Sequence, residues 1–311
     1  MSNTVSNSRL ACFRRCPRKY EYRYVDQLTA NDKAPALMMG SLVHESLAEF
    51  YSLGNHDKDV NVRASMAMTM YDNKVAEAAT EVLSAGGDSE RFDKDSFMGR
   101  QMLKYYFEEV APNDDFTPVA SELKVEVRIP NPTGKFSWCT FIGYVDAIVE
   151  RDGRLYILEH KTAKTLDTKH LITDTQVTQY IWALRQMGYD VCGVYYNILR
   201  KCDPYSARTK APYHYREAVY RNDKEIEECG RQLYYQYMAM KHANRYGYYC
   251  NPTRDCSWDC EYRPLCIAEM EGRMEEKELL ELADVQGFHV KQESESNKDA
   301  NNKIEKVIKN G

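Results

Sequence analysis

No stretch of this sequence holds the roughly 20 consecutive apolar residues that a membrane-spanning helix needs. The opening MSNTVSNSRLACFRR lacks the apolar core of a secretory signal. The expectation is a soluble cytoplasmic protein with no membrane contact. Positive charge is not in surplus either. There are 42 Lys and Arg against 47 Asp and Glu, a net charge of −5, so bulk electrostatics does not advertise a polyanionic partner. No internal repeat is visible. No helicase motif is visible, so any motor would be a separate chain. The 311 residues suffice for one large domain or two modest ones.

Cysteine, by contrast, is plentiful, with ten residues. In a reducing cytoplasm they do not read as a disulfide framework. Cys12, Cys139, Cys192, Cys202, Cys229 and Cys250 are scattered and read as ordinary thiols. Cys256, Cys260 and Cys266 crowd into one short segment, and such clustering reads as soft-metal ligation. A fourth ligand is then needed: Cys250 is close in sequence, Cys16 distant. Positive charge is also concentrated locally. Arg9, Arg14, Arg15, Arg18, Lys19 and Arg23 are opposed only by Glu21. Such a patch can neutralise phosphates, although charge alone favours a solvated helix face.

Apolar periodicity predicts helices over 7–27, 40–53, 59–84 and 90–110. After Thr117 the chain turns rich in Val, Ile and aromatic residues, predicting strands over 118–129, 137–150 and 154–161. A helix over 174–188, strands over 191–199 and 213–220, and a helix over 222–246 follow. The chain therefore divides into an N-terminal helical region (1–116), a catalytic core (117–221), a helix with a cysteine segment (222–285) and a polar tail (286–311) expected to be disordered.

The most informative stretch is GYVDAIVERDGRLYILEHKT, residues 143–162. Asp152-Gly153 signals a two-residue hairpin turn. With that loop, Arg151 faces Arg154, Ile148 faces Ile157, Asp146 faces Glu159 and Tyr144 faces Lys161. Alternation then puts Asp146, Glu159 and Lys161 on one face, and Val145, Ala147, Val149, Tyr156 and Leu158 on a core face. Opposed carboxylates repel unless something compensates them. A hard divalent cation such as Mg²⁺ or Mn²⁺ does so.

Asp146 followed by Glu159-His160-Lys161 resembles the signature of the PD-(D/E)XK nuclease superfamily. SRLACFRRCPRKYEYRYV (8–25), Gly40-Ser41-Leu42-Val43-His44-Glu45 and Gln176-x-x-x-Tyr180 resemble, in order, further elements of its RecB-type, AddB-like exonuclease branch. The resemblance implies an α/β restriction-endonuclease-like core: a small mixed sheet flanked by helices, closed by an N-terminal helical segment and a C-terminal cysteine-rich segment. It implies Asp146, Glu159, Lys161, Gln176 and Tyr180 at the catalytic centre, with His44, Asp146 and Glu159 holding Mg²⁺ or Mn²⁺. Arg14, Arg15, Arg18 and Lys19 are expected along the DNA path.

Members of that branch with an iron–sulfur cluster take one cysteine from the N-terminal side and three from the C-terminal side. The resemblance thus implies a [4Fe–4S] cluster on Cys16, Cys256, Cys260 and Cys266. The three-residue gap between Cys256 and Cys260 departs from the commoner two, and keeps open a zinc site or Cys250 in place of Cys16. The implied function is a metal-dependent DNA exonuclease in recombination, repair or phage DNA processing. It would work in a bacterial cell, encoded by host or phage, with a helicase or recombination protein as a candidate partner. The alternative is a catalytically idle DNA-binding or scaffold subunit with a structural metal site.

Overall fold

Strands form where β-branched and aromatic residues run unbroken, and they assemble into one mixed sheet. The computed structural model describes residues 3–30, 35–84, 86–135, 138–272 and 288–290. The chain divides into two compact units. The first comprises Met1–Leu10 with Asp32–His242, and the second Ala11–Asn31 with Ala243–Gly311.

The sheet of the first unit has β1 (Thr4–Val5), β3 (Thr117–Arg128), β4 (Thr140–Arg151), β5 (Arg154–Ala163), β6 (Val191–Arg200) and β7 (His214–Tyr220). Its order is β1-β4-β5-β6-β7, with β3 on β4. β4 pairs antiparallel with β3 along nearly its whole length. On its other edge, β1 takes Thr140 and Phe141, and β5 takes Ala147 to Arg151. Residues 142–146 of that edge lie in no described ladder, so the sheet parts there. β5 runs parallel to β6, joined by α6 (Thr175–Gln186), and β7 returns antiparallel.

The Asp152-Gly153 turn has positive φ at both residues, 52° and 73°. That geometry matches the twist of the flanking strands and fixes the register. Arg151 faces Arg154 and Ile148 faces Ile157 as the turn predicts. The ladder then ends at Ala147 and Leu158. Asp146 does not pair with Glu159, nor Tyr144 with Lys161, because β5 turns from β4 to pair with β6 alone.

Both faces of the sheet are covered. On one side α3 (Pro35–Phe50), α4 (Val60–Ser84) and α5 (Ser89–Tyr105) supply Leu47, Phe50, Tyr71 and Leu103. These pack with Ala147, Val149, Tyr156 and Leu158 of the hairpin. Each fully buried Leu or Phe is worth roughly 1.5–3 kcal/mol. α6 lies on the other side and buries Val177, Ile181 and Leu184. Alternation along β5 shows the two sides directly. His160 stacks on Tyr51, whereas Glu159 and Lys161 bond to Gln176 of α6. α7 (Asp223–Tyr246) follows β7.

In the second unit the single helix expected over 7–27 is broken. α1 (Asn7–Arg15) ends before Cys16, which is extended at φ −160° and ψ 115°. Pro17 is the cause: it disfavours helical backbone at the preceding residue and opens the next helix, α2 (Pro17–Tyr20). A π-helical turn, Glu21–Val25, continues the chain. β2 (Leu28–Ala30) pairs with β8 (Phe288–Val290), and α8 (Arg263–Met270) carries Cys266. Tyr22, Leu28, Tyr262, Leu265 and Phe288 make a small core there. Of the expected tail 286–311, only 288–290 is among the described residues, and those three are strand; the rest lies outside them. Among the described residues no helix is long and apolar enough to cross a membrane.

Candidate active site

The parting of β4 and β5 is where the chemistry-bearing side chains gather. At the end of the ladder a side chain takes over from the backbone: Asp146 Oδ2 accepts the His160 N–H at 2.8 Å. His44 Nδ1, from α3, stands 3.5 Å from the same oxygen. Glu159 Oε1 accepts from Lys161 Nζ at 2.8 Å and from Gln176 Nε2 at 3.0 Å. Gln176 Oε1 accepts from Lys161 Nζ at 3.2 Å, and Gln176 Nε2 also donates to the Tyr180 hydroxyl at 3.3 Å. The structure thus brings together all six of His44, Asp146, Glu159, Lys161, Gln176 and Tyr180. Glu45, next to His44, points away toward Lys74.

Close approach is built in by one glycine. A β-carbon at Gly143 would stand 2.6 Å from the Tyr180 ring, so any larger residue pushes Tyr180 off the site.

Environment drives the two carboxylates apart. Glu159 is only 2 % exposed, and its Oε2 has no hydrogen-bond partner. Burial, then the nearby Asp146 charge, push its carboxyl up, with Lys161 only partly offsetting them. Burial also works to raise Asp146, but His44, His160 and the backbone N–H outweigh it and leave it below the usual carboxylate range. Burial lowers His44 and Lys161, yet Asp146 and Glu159 respectively hold them above their ordinary values. The site therefore keeps Lys161 charged and favours negative charge on Asp146.

Several supporting residues gave no signal as site residues in the sequence. Asp174 caps α6, accepting from Gln176 N at 2.9 Å, while Tyr196 donates to its other oxygen at 3.0 Å. It therefore fixes the helix turn that carries Gln176. Asn197 donates to His160 Nδ1 at 2.8 Å, so the His160 proton sits on Nε2. Asn197 also joins Tyr106, His214 and Arg216. Burial pushes His160 down to about 3, so its ring stays neutral. The Asp-Thr-Gln segment at 174–176 is a capping signal in hindsight. The Asn197 network has no local sequence signature, because its members are spread from Tyr106 to Arg216.

The donor set of His44, Asp146 and Glu159 suits a hard divalent cation, and the partnerless buried Glu159 Oε2 is an oxygen such a cation would satisfy. Among the described residues no three His, Cys, Asp or Glu side chains already stand as a metal cage. Asp146 and Glu159 are turned instead to His44, His160 N–H, Lys161 and Gln176.

Within the second unit, Cys16, Cys250, Cys256, Cys260 and Cys266 line one cavity of about 210 Å³. Their sulfurs are not drawn together. Cys250 and Cys266 are 3.5 Å apart, Cys16 accepts from Asn251 N at 3.4 Å, and Cys256 from Thr253 N at 3.4 Å. Cys250, read from sequence as an ordinary thiol with a fourth-ligand role kept open, belongs to this set by position. Three of the basic residues have acidic partners. Arg15 pairs with Asp259, Arg18 with Glu21 and Glu269, and nearly buried Lys19 with Glu261. Arg14 is exposed.

A profile of the PD-(D/E)XK nuclease superfamily matches residues 4–267. The chain belongs to that superfamily. No curated protein matches it. Among solved structures it is similar to the crystal structure of a "Putative exonuclease" from Eubacterium rectale. Sequence identity is 14 %, the match covers 78 % of this chain and 80 % of that one, and the TM-score is 0.45.

Proposed function

We propose that this chain is a Mg²⁺- or Mn²⁺-dependent deoxyribonuclease that removes nucleotides from DNA ends. The observation that carries the reading is the buried Glu159, one oxygen bonded to Lys161 and Gln176 and the other without a partner, beside Asp146 and His44. A buried carboxylate oxygen without a partner is costly, and a divalent cation offsets that cost. His44, Asp146 and Glu159 would hold it. When bound, such a cation polarises the scissile phosphate and lowers the pKa of the attacking water.

The chain's own residues do the rest. Lys161, held between two oxygens, presents a fixed positive charge to the negative charge developing on the phosphate. Gln176 braces Lys161 and Glu159 together, and Tyr180 braces Gln176. Asp146, anchored by the His160 N–H, keeps its orientation without help from the ladder.

Five thiols around one cavity support a [4Fe–4S] cluster on Cys16, Cys256, Cys260 and Cys266, with zinc as the alternative metal and Cys250 as the alternative fourth ligand. Its role would be structural. Arg14, Arg15, Arg18 and Lys19 lie within one short stretch of α1 and α2 and are the residues proposed along the DNA path, with Arg14 exposed. A role in recombination, repair or phage DNA processing, beside a helicase or recombination protein in a bacterial cytoplasm, fits a DNA-end nuclease. Digestion of end-labelled single- and double-stranded DNA beside a circular control tests the reading. Mononucleotide release from linear DNA only is expected. Cutting of the circle would make the enzyme an endonuclease, and no cutting with Mg²⁺ or Mn²⁺ would make it an idle subunit.

A further inference from the structure

Glu122 stands in the interior of β3 with φ 49°. That is the left-handed region, which non-glycine residues rarely enter and which strand interiors do not call for. Its neighbours pair as Ser121 with Ala147 and Leu123 with Val145. Glu122 therefore lies directly across from Asp146, and the ladder skips that one pair. The register is the same on both sides, so no inserted residue explains the distortion. Directly opposed residues of an antiparallel pair share a face. The Glu122 side chain is exposed, and its carboxylate lies within electrostatic reach of Asp146, His44 and Glu45.

Two costs thus coincide at one position: a strained backbone, and a second carboxylate beside Asp146. Unfavourable conformations of this kind persist where the surroundings over-determine them, and they gather at functional sites. A divalent cation offsets the like-charge cost. An independent observation points to the same cation: Glu159 Oε2 is buried and without a partner.

We propose that Glu122 is a further carboxylate of the metal centre, facing the divalent cation from β3 and raising its affinity. This rests on the nuclease reading above. The two can be separated by measuring Mn²⁺ binding to the full chain by electron paramagnetic resonance, without any DNA.

Four proteins are compared: wild type, Glu122→Gln, Glu122→Gly and Asp146→Ala. Glu122→Gln keeps the side-chain shape and removes the charge, and should weaken Mn²⁺ binding about tenfold, the lower end of what supporting residues of metal sites contribute. Glu122→Gly should weaken it as much, while its metal-free melting temperature rises, because glycine accepts φ 49° without strain. Asp146→Ala should bind more weakly than either. Wild-type Mn²⁺ affinity in both Glu122 variants, with loss in Asp146→Ala, would overturn the proposal and leave the nuclease reading standing. Wild-type affinity in Asp146→Ala as well would overturn both.

Discussion

The nuclease centre and the cysteine cavity were both announced by short sequence patterns, yet the structure assembles them to different degrees. In the first, six side chains on β4, β5, α3 and α6 already form two bonded groups, His44 with Asp146 and Glu159 with Lys161, Gln176 and Tyr180. In the second, five thiols share a cavity but only Cys250 and Cys266 come within 3.5 Å. The difference follows from what each site can use to hold itself. Glu159 and Lys161 are fixed by the β5–β6 ladder and charge-assisted hydrogen bonds, and Asp146 by the His160 N–H and His44. Thiols make weak hydrogen bonds, so converging them would be the work of the metal proposed above, whose binding energy would then become folding energy.

The largest effect expected from this contrast is on chemistry. Lys161→Ala should lower cleavage by about 10²–10³-fold, the usual loss when one preorganised electrostatic group is removed, while the far-ultraviolet circular dichroism stays that of the wild type. Loss of helix and strand signal would place Lys161 in the fold instead.

Next comes metal removal from the cysteine cavity. Protein purified without oxygen should be brown, and stripping its iron should lower the first of two thermal transitions, that of the second unit, by several degrees. Cys16→Ser should do the same and Cys250→Ser should not. Colour retained in Cys16→Ser with unchanged melting would hand the fourth position to Cys250, and one zinc with no iron would make the site a zinc site.

Glu159 supplies a pH-dependent test. Its folded pKa is raised above the unfolded value, so the folded state binds the proton more tightly. Stability is then highest below the ordinary carboxylate range and falls as pH rises through the raised value. Glu159→Gln removes that loss, so metal-free variant and wild type should differ more at pH 8 than at pH 4 in urea unfolding, the variant being the more stable. Parallel pH profiles would show that the carboxyl is not destabilised by its burial.

Asp174→Ala should cost about 1 kcal/mol, as loss of a helix cap does. It should lower kcat more than it raises KM, because Gln176 loses its anchor. The smallest effect is expected at Arg15→Ala. Its partly exposed pair with Asp259 is worth roughly 0.2–1 kcal/mol, to be read from the midpoint of the second unit's transition.

The sequence was legible where local rules decide. Asp152-Gly153 fixed the hairpin register because positive φ at two successive residues leaves few alternatives. The strand and helix boundaries of the sheet region fell close to expectation, since hydrophobic period reports burial. Local rules failed where tertiary context wins. The helix over 7–27 broke at Pro17, a signal present in the sequence but outvoted by periodicity. The direct opposition of Asp146 and Glu159 failed because β5 leaves β4 for β6, which hairpin counting does not see. Arg15, Arg18 and Lys19 found acidic partners some 240 residues away in sequence. Glu122 was read only as a strand residue, since nothing in SELKVEV announces a left-handed backbone.

The central claim is that Asp146, Glu159, Lys161 and His44 form a metal-dependent phosphodiester-cleaving centre. The most direct test is a Mg²⁺ titration of end-labelled DNA cleavage by wild type and Asp146→Ala, with a chelator control. Cleavage should rise with Mg²⁺ in the wild type, vanish with the chelator, and fall about 10²–10³-fold in the variant. Asp146→Ala protein that cuts at the wild-type rate, or wild-type cutting that survives the chelator, would contradict the account.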